Sequence, residues 1–194
     1  MAATAGLIDR RARGRKGLPP LLFFTDPART PDAEAITATL PAGSGVVFRA
    51  FGADDAIEQG QRLAAICQTR GLTLLAGADG KLAKAIGAVG VHLPERLSGG
   101  ARGLARRGIV TAAAHSVRAG RRALAAGADA VVVSPVFPSN SPSAGKPLGP
   151  VRLALMVRAI GGPVYALGGI TSKTARRLTD VGLVGLAAVE GFRT

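Results

Sequence analysis

The chain has 194 residues, of which 47 % are hydrophobic and 19 % are charged, and its formal net charge at pH 7 is +13. This length suits one domain with a sizeable core. The sequence argues against a membrane span, because no apolar run reaches the roughly 18 residues that one needs. An intrachain disulfide is excluded, because Cys67 is the only cysteine. The N-terminus lacks the basic-then-apolar pattern of a secretory signal, so we expect a soluble, cytoplasmic protein.

Glycine followed by a short apolar run recurs along the chain, and stretches rich in Ala, Arg and Leu separate the runs. A glycine just past a helix can take the left-handed turn that ends it. A β-branched run of about four to seven residues is typical of a strand buried on both faces. The pattern predicts eight strands, at Leu21–Thr25, Gly45–Arg49, Leu72–Ala76, Val91–Leu93, Ile109–Ala113, Ala130–Val136, Val164–Leu167 and Gly185–Val189.

Helical patterns fit between these strands. The clearest covers Asp54–Arg70, which has one apolar face, Asp54 or Asp55 as a cap and Gly71 at its end. A second begins after Ser116 and stops at Gly127, and a third runs from Thr171 or Ser172 to Gly182.

Alternating helices and strands predict an α/β fold, here a single compact (β/α)8 TIM barrel over residues 21–194. A doubly wound open sheet is the alternative, although such sheets more often stop at about five or six strands. Residues 1–20 form a basic N-terminal segment that we expect to be flexible.

The sequence pI is about 11.5. We expect most helix arginines to lie on the solvated outer surface of the barrel. A nucleic-acid partner is disfavoured, because only 4 % of the residues are aromatic and no nucleic-acid-binding motif is present. A basic field instead favours small anionic substrates such as phosphates.

The active site of a TIM barrel lies at the carboxyl ends of its strands. The long loop Phe137–Gly149 follows the sixth strand there, and a loop of this length in so short a chain is expected to be functional. The Gly168–Gly169 turn comes before a predicted helix start, where free amides and the positive helix end suit a phosphate.

Several side chains at these strand ends have two interpretations. Arg49 either binds an anion or makes a structural salt bridge, and Asp26 is a candidate to orient an arginine. His115 is a candidate acid or base, whereas His92 fits a buried structural histidine. Four loop residues either contact a bound phosphate or are plain loop residues: Ser139, Asn140, Ser141 and Lys146. The carboxylate of Glu190 either acts as a base or pairs with Arg49.

These segments resemble thiamine phosphate synthase and its relative thiazole tautomerase (TenI), and the resemblance covers nearly the whole chain from Leu21 onward. It rests on Phe23–Asp26, Gly87–Leu93, His115–Ser116, Gly127–Asp129, Ser134–Ser139, Lys146–Gly149 and Ala166–Ile170.

The resemblance implies a barrel that binds phosphorylated pyrimidine and thiazole precursors of thiamine. In the synthase, hydroxymethylpyrimidine diphosphate ionises and the thiazole phosphate nitrogen attacks the cation. Loss of diphosphate needs a divalent cation, so Mg²⁺ is the implied cofactor. In the tautomerase, the histidine that matches His115 serves as acid and base.

This sequence departs from the family at several ligand positions. On strand two, only Arg49 remains of the family's cationic and amide groups. Asp79 lies one residue after the expected metal-binding pair and is the candidate metal ligand. Seven positions that carry ligand residues in the family carry different residues in this sequence. They are Val47 and Phe51 on strand two, Gly77 and Ala78 after strand three, Leu97 after strand four, Pro142 in the long loop and Glu190 at the phosphate site.

Three functions fit this pattern. The first is a synthase in which Asp79, Lys146 and Arg49 replace the missing ligands. The second is a metal-independent tautomerase built around His115, and the third is a non-catalytic barrel that binds a phosphorylated ligand. In each of them, we expect the phosphate at Gly168, Gly169 and the loop 137–149.

Overall fold

The computed structural model describes residues 17–106, 108–141 and 145–192. Eight parallel strands pair in chain order and close into a barrel, with Leu21 of the first strand beside Leu186 of the last. The predicted (β/α)8 TIM barrel is therefore confirmed, and the open-sheet alternative is wrong. The strands are β1 (Leu21–Phe24), β2 (Gly45–Phe48), β3 (Thr73–Gly77), β4 (Gly90–Leu93), β5 (Ile109–Ala114), β6 (Ala130–Val133), β7 (Val164–Ala166) and β8 (Gly185–Ala188).

The predicted strand runs all form strands, with small differences at their ends. The largest difference is in β6, which was expected to reach Val136 but ends at Val133. Pro135 has no backbone N–H and cannot extend the ladder. The peptide bond between Ser134 and Pro135 is cis.

Helices lie outside the barrel between successive strands. Among the described residues, none of them is both long and apolar enough to cross a membrane. They are α1 (Ala33–Thr39), α2 (Ala56–Arg70), α3 (Gly80–Ala85), α4 (Ala101–Ala105), α5 (Val117–Ala125), α6 (Gly149–Ile160) and α7 (Ser172–Ala175), with 3₁₀ helices at Glu95–Gly100 and Arg176–Leu178.

Two of the three helices predicted in detail match the structure closely. Helix α2 ends at Gly71, which adopts the left-handed conformation expected of it, with φ of 64°. Helix α5 starts after Ser116, whose hydroxyl accepts a hydrogen bond from the amide of Ala119 at 3.1 Å. The third prediction was too long, because α7 stops at Ala175 and gives way to a 3₁₀ turn. Thr179 and Asp180, which follow, are weak helix formers.

Alternation along the strands produces two apolar cores. Leu22 and Phe24 face the inside of the barrel, whereas Leu21 and Phe23 face the helices. Tyr165 belongs to the inner core, and its hydroxyl donates a 2.7 Å hydrogen bond to the carbonyl of Pro19. The packed domain therefore includes Leu18, which is buried ahead of the predicted boundary at residue 21. Residues 1–16 of the predicted N-terminal segment lie outside the described residues.

Gly90 is needed for close packing between β4 and β5. A Cβ atom built on it would lie 2.0 Å from the carbonyl oxygen of Ile109, which is a backbone atom of the neighbouring strand. A side chain would push these two strands apart, so this glycine holds the barrel together rather than ending a helix.

We predict that Gly90→Ala lowers the free energy of unfolding by about 3 kcal/mol, because the added methyl group overpacks a backbone contact. The matched control is Gly99→Ala, since Gly99 has open space around its Cβ position. The control should stay within about 0.5 kcal/mol of the original protein. Urea denaturation measures both, and equal midpoints for the two variants would contradict the packing argument.

Candidate active site

A cavity of about 1490 Å³ occupies the mouth of the barrel, at the carboxyl ends of the strands. Residues from all eight strand ends line it, from Phe24 at the end of β1 to Gly191 after β8. Such a cavity is large enough for a small-molecule substrate. Its side chains therefore determine which ligand the barrel can take.

The Gly168–Gly169 turn forms one wall of the cavity. Both glycines have positive φ values, of 96° and 63°. A Cβ atom on Gly169 would lie 2.3 Å from the carbonyl oxygen of Pro138, so the turn is pressed against the loop after β6. Within the described chain, the N–H groups of Gly168, Gly169 and Ile170 have no hydrogen-bond acceptor. Consecutive free amides of this kind suit an anion.

Helix α7 adds less to this wall than the sequence indicated. It has four residues, and the hydroxyl of Thr171 already accepts a hydrogen bond from the amide of Thr174 at 3.2 Å. Any anion at this wall is therefore held by the turn itself and by neighbouring side chains.

The loop after β6 supplies polar groups beside the turn. Ser139, Asn140 and Ser141 line the cavity, and Ser139 is half-buried. Lys146 is exposed and is not among the lining residues, and Pro142 lies outside the described residues. On the opposite side of the turn, Glu190 lines the cavity and makes no ion pair with any described residue.

Arg49 is fixed in place at the end of β2. Its Nε donates to the carbonyl of Thr25 at 2.7 Å, and its Nη2 donates to Asp26 Oδ2 at 3.3 Å. The guanidinium also lies over the rings of Phe51 and Phe24, 5.0 and 5.7 Å from their centroids. The acidic partner of Arg49 is thus Asp26 rather than Glu190, and Asp26 orients an arginine as expected.

Asp26 is shared between two arginines. Its Oδ2 also accepts hydrogen bonds from Nε and Nη2 of Arg29, at 3.0 and 2.9 Å. Burial raises the pKa of Asp26, but the hydrogen bonds from Arg29 and the charges of Arg29 and Arg49 outweigh it, so the net pKa is lowered. Burial lowers the pKa of Arg49 to about 10, against the attraction of Asp26. Arg49 therefore stays charged at neutral pH.

His115 lies at the end of β5 with one ring nitrogen already bonded. Its Nδ1 is 2.8 Å from the carbonyl oxygen of Ser134. A carbonyl only accepts, so Nδ1 carries the proton and Nε2 of the neutral ring keeps a free lone pair. The backbone amide of His115 donates to Glu95 Oε2 at 2.8 Å, which fixes the position of the residue. This exposed imidazole lines the cavity and is arranged to accept a proton.

His92 is the structural histidine that the sequence indicated. It is 9 % exposed, and its Nδ1 lies 2.9 Å from the hydroxyl of Thr111. Its ring packs edge-on against Phe24, with centroids 4.9 Å apart. Burial and the charge of Arg49 lower the pKa of His92 to about 3, so the ring is neutral in the folded protein.

Asp79 is used as a helix cap. Its Oδ1 accepts hydrogen bonds from the amides of Lys81 and Leu82, at 2.7 and 3.1 Å. No group of three or more His, Cys, Asp or Glu residues in the described part of the chain could hold a metal ion. Mg²⁺ in phosphate-binding sites is usually held by one or two carboxylates together with substrate phosphates. Because Asp79 is bonded to its own helix and the described residues contain no cluster of ligands, the described part of the chain holds no preformed Mg²⁺ site.

Comparison with known proteins identifies the family. The family model for thiamine monophosphate synthase matches residues 21–192. The chain belongs to the thiamine monophosphate synthase family.

Individual members of the family show the same relationship. The thiamine-phosphate synthase of Xylella fastidiosa strain 9a5c is 30 % identical over 201 residues, covering 97 % of this chain and 86 % of that protein. The thiamine-phosphate synthase of Thiobacillus denitrificans is 33 % identical over 178 residues, covering 84 % of this chain and 82 % of that protein. The structure of thiamine phosphate pyrophosphorylase from Pyrococcus furiosus is similar with a TM-score of 0.77 and 25 % identity, covering 90 % of this chain and 87 % of that one.

This family member gathers nine of its ten predicted site residues around one cavity, namely Arg49, Asp79, His115, Ser139, Asn140, Ser141, Gly168, Gly169 and Glu190. Sequence reasoning missed Glu95, which holds the backbone of His115, and four further cavity cations, Arg29, Lys81, Arg96 and Arg177. Glu95 and Arg96 lie two and three residues after the end of β4, so their place near a strand end was the signal that could have found them.

We predict that His92 makes the stability of the protein depend on pH. The unfolded chain binds a proton at His92 below about pH 6.5, whereas the folded protein binds one only near its pKa of about 3. The contribution of His92 to the free energy of unfolding is therefore fully present above about pH 6.5. It falls by about 1.4 kcal/mol for each pH unit as the pH drops from there toward the folded pKa of about 3. The measurement is urea denaturation of the original protein and of His92→Asn between about pH 6 and 4.5. The variant should show the smaller slope, and equal slopes would contradict the neutral buried histidine.

Proposed function

We propose that this protein is an enzyme of thiamine biosynthesis that binds thiazole phosphate in the mouth of the barrel. Its reaction is of the thiamine-phosphate synthase type, which joins the thiazole to hydroxymethylpyrimidine diphosphate. The observation that carries the proposal is the run of free amides at Gly168, Gly169 and Ile170, which faces a substrate-sized cavity. The cytoplasm is the location that we propose for this activity.

In this reaction the C–O bond of the pyrimidine diphosphate breaks, and its electron pair leaves with the diphosphate. The lone pair of the thiazole nitrogen forms the new C–N bond. The amides of the turn would hold the thiazole phosphate, and Ser139 beside them would add a hydroxyl donor. The protein's part is to place the two reactants next to each other in the cavity. No step is assigned to Mg²⁺, because the described residues hold no preformed site for it.

A second candidate reaction is transfer of a thiazole ring proton. The observation that favours it is the hydrogen bond from His115 Nδ1 to Ser134, which leaves Nε2 as a base that lines the cavity. This reaction needs neither a diphosphate nor a metal ion. It uses the same phosphate-binding wall and changes only the chemistry done on the ring.

We predict that Glu190→Ser tightens binding of thiazole phosphate about tenfold, because it removes a negative charge that faces the phosphate. Isothermal titration calorimetry measures the change. Glu58→Ser is the matched control, since Glu58 lies on α2 outside the cavity and loses the same charge. An equal gain in the control, or no binding by either variant or by the original protein, would contradict the proposed phosphate site.

We predict that His115→Ala slows exchange of the thiazole ring proton by about 100-fold or more, if proton transfer is the reaction, since a positioned acid–base group contributes that much. Proton NMR in deuterated water measures the exchange. Binding of thiazole phosphate by the variant serves as the control for an intact site. Unchanged exchange, with binding preserved, would eliminate His115 as the base.

A further inference from the structure

We propose that Lys81 and Arg96, together with Arg49, form a cationic site that binds diphosphate directly, without a metal ion held by the protein. This inference rests on the proposed function, because it names how the second substrate's diphosphate is bound in the same cavity. It assigns a role to two basic residues that neither the fold nor the rest of the site requires.

The three cations lie along one arc of the cavity. Arg49 follows β2, Lys81 lies in the first turn after β3, and Arg96 lies in the 3₁₀ helix after β4. These strands are direct neighbours in the barrel. All three residues line the same cavity.

Both newly assigned residues sit on anchored backbone. The amide of Lys81 donates to Asp79 Oδ1 at 2.7 Å. Arg96 lies in a turn that is closed by a hydrogen bond from the amide of Leu97 to the carbonyl of Pro94 at 2.9 Å. The side chains of Lys81 and Arg96 themselves have no hydrogen bond or ion pair with any described residue. Their backbones are therefore fixed, while their charged groups are free to contact a ligand.

The charges along the cavity favour an anion with several negative charges. Asp26 lies between Arg29 and Arg49, so this cluster of three keeps one net positive charge. The basic lining residues are Arg29, Arg49, Lys81, Arg96 and Arg177, and the acidic lining residues are Asp54, Asp79 and Glu190. The lining is thus positive overall, and Asp79 already accepts two backbone hydrogen bonds.

Lysine and arginine can do the electrostatic work that diphosphate loss requires. They form charge-assisted hydrogen bonds to phosphate oxygens. When the C–O bond breaks and its electron pair moves to the diphosphate oxygen, fixed positive charges stabilise the charge that develops there. The arc therefore supplies positive charge where carboxylates for a metal ion are missing.

The test is calorimetric titration with inorganic diphosphate in the presence of EDTA at low salt. We expect the original protein to bind, and the double variant Lys81→Gln/Arg96→Gln to bind at least about tenfold more weakly. The matched control is Lys84→Gln/Arg118→Gln, which removes the same two charges from exposed positions outside the cavity. We expect the control to bind within about twofold of the original protein. Lys81→Arg/Arg96→Lys, which keeps both charges, should retain binding even if the Gln variant is destabilised.

Several results would overturn this inference. Diphosphate binding that appears only after Mg²⁺ is added would do so, and so would equal weakening in the matched control. Thiazole phosphate is titrated separately, so that the two proposals can fail independently. If thiazole phosphate binds but diphosphate in EDTA does not, the cationic site is wrong and the proposed function stands. If diphosphate binds and thiazole phosphate does not, the cationic site stands and the proposed function fails.

Discussion

Everything at the site depends on closure of eight very short strands into one barrel. Each strand has three to six residues, so a residue at the carboxyl end of a strand is only a few positions along the chain from the residues that fill the barrel interior. Pairing of β1 with β8 brings the first and last strand ends to the same mouth. The close backbone approach at Gly90 keeps β4 and β5 together, which in turn sets where Arg96 and His115 leave the barrel.

Within that mouth, two walls have different chemistry. The wall at β7 and β8 offers backbone amides, next to the hydroxyl groups of the loop after β6, and suits one phosphate. The arc at β2, β3 and β4 offers side-chain cations, including Arg49, which is held by Asp26 and contacts the rings of Phe24 and Phe51. His115 lies between these two regions along the strand order.

The sequence was most informative where local rules decide the structure. Alternating glycines and apolar runs predicted all eight strands, and Gly71 and Ser116 marked helix ends correctly because caps depend on adjacent residues. The prediction for α7 was too long, because it took Gly182 as the end of the helix and did not anticipate the 3₁₀ turn at Arg176–Leu178. The predicted end of β6 was three residues too late. The prediction followed the run of valines and did not take into account that Pro135 lacks the N–H needed to extend the strand.

The site was predictable only in part, for a physical reason. Position in a barrel reveals which residues reach the mouth, and nine of the ten candidates do line the cavity. It does not reveal partners that are distant in the chain, such as Asp26 for Arg49 or Ser134 for His115. The capping role of Asp79 was also missed, although aspartate is a preferred N-cap residue and Asp79 directly precedes α3.

An NMR titration of isotopically labelled protein with thiazole phosphate in metal-free buffer tests the phosphate site most directly. The amide resonances of Gly168, Gly169 and Ile170 should move downfield and saturate together, because these free N–H groups would donate to the phosphate. Saturable shifts confined to other parts of the barrel, or no shifts at all, would contradict this site.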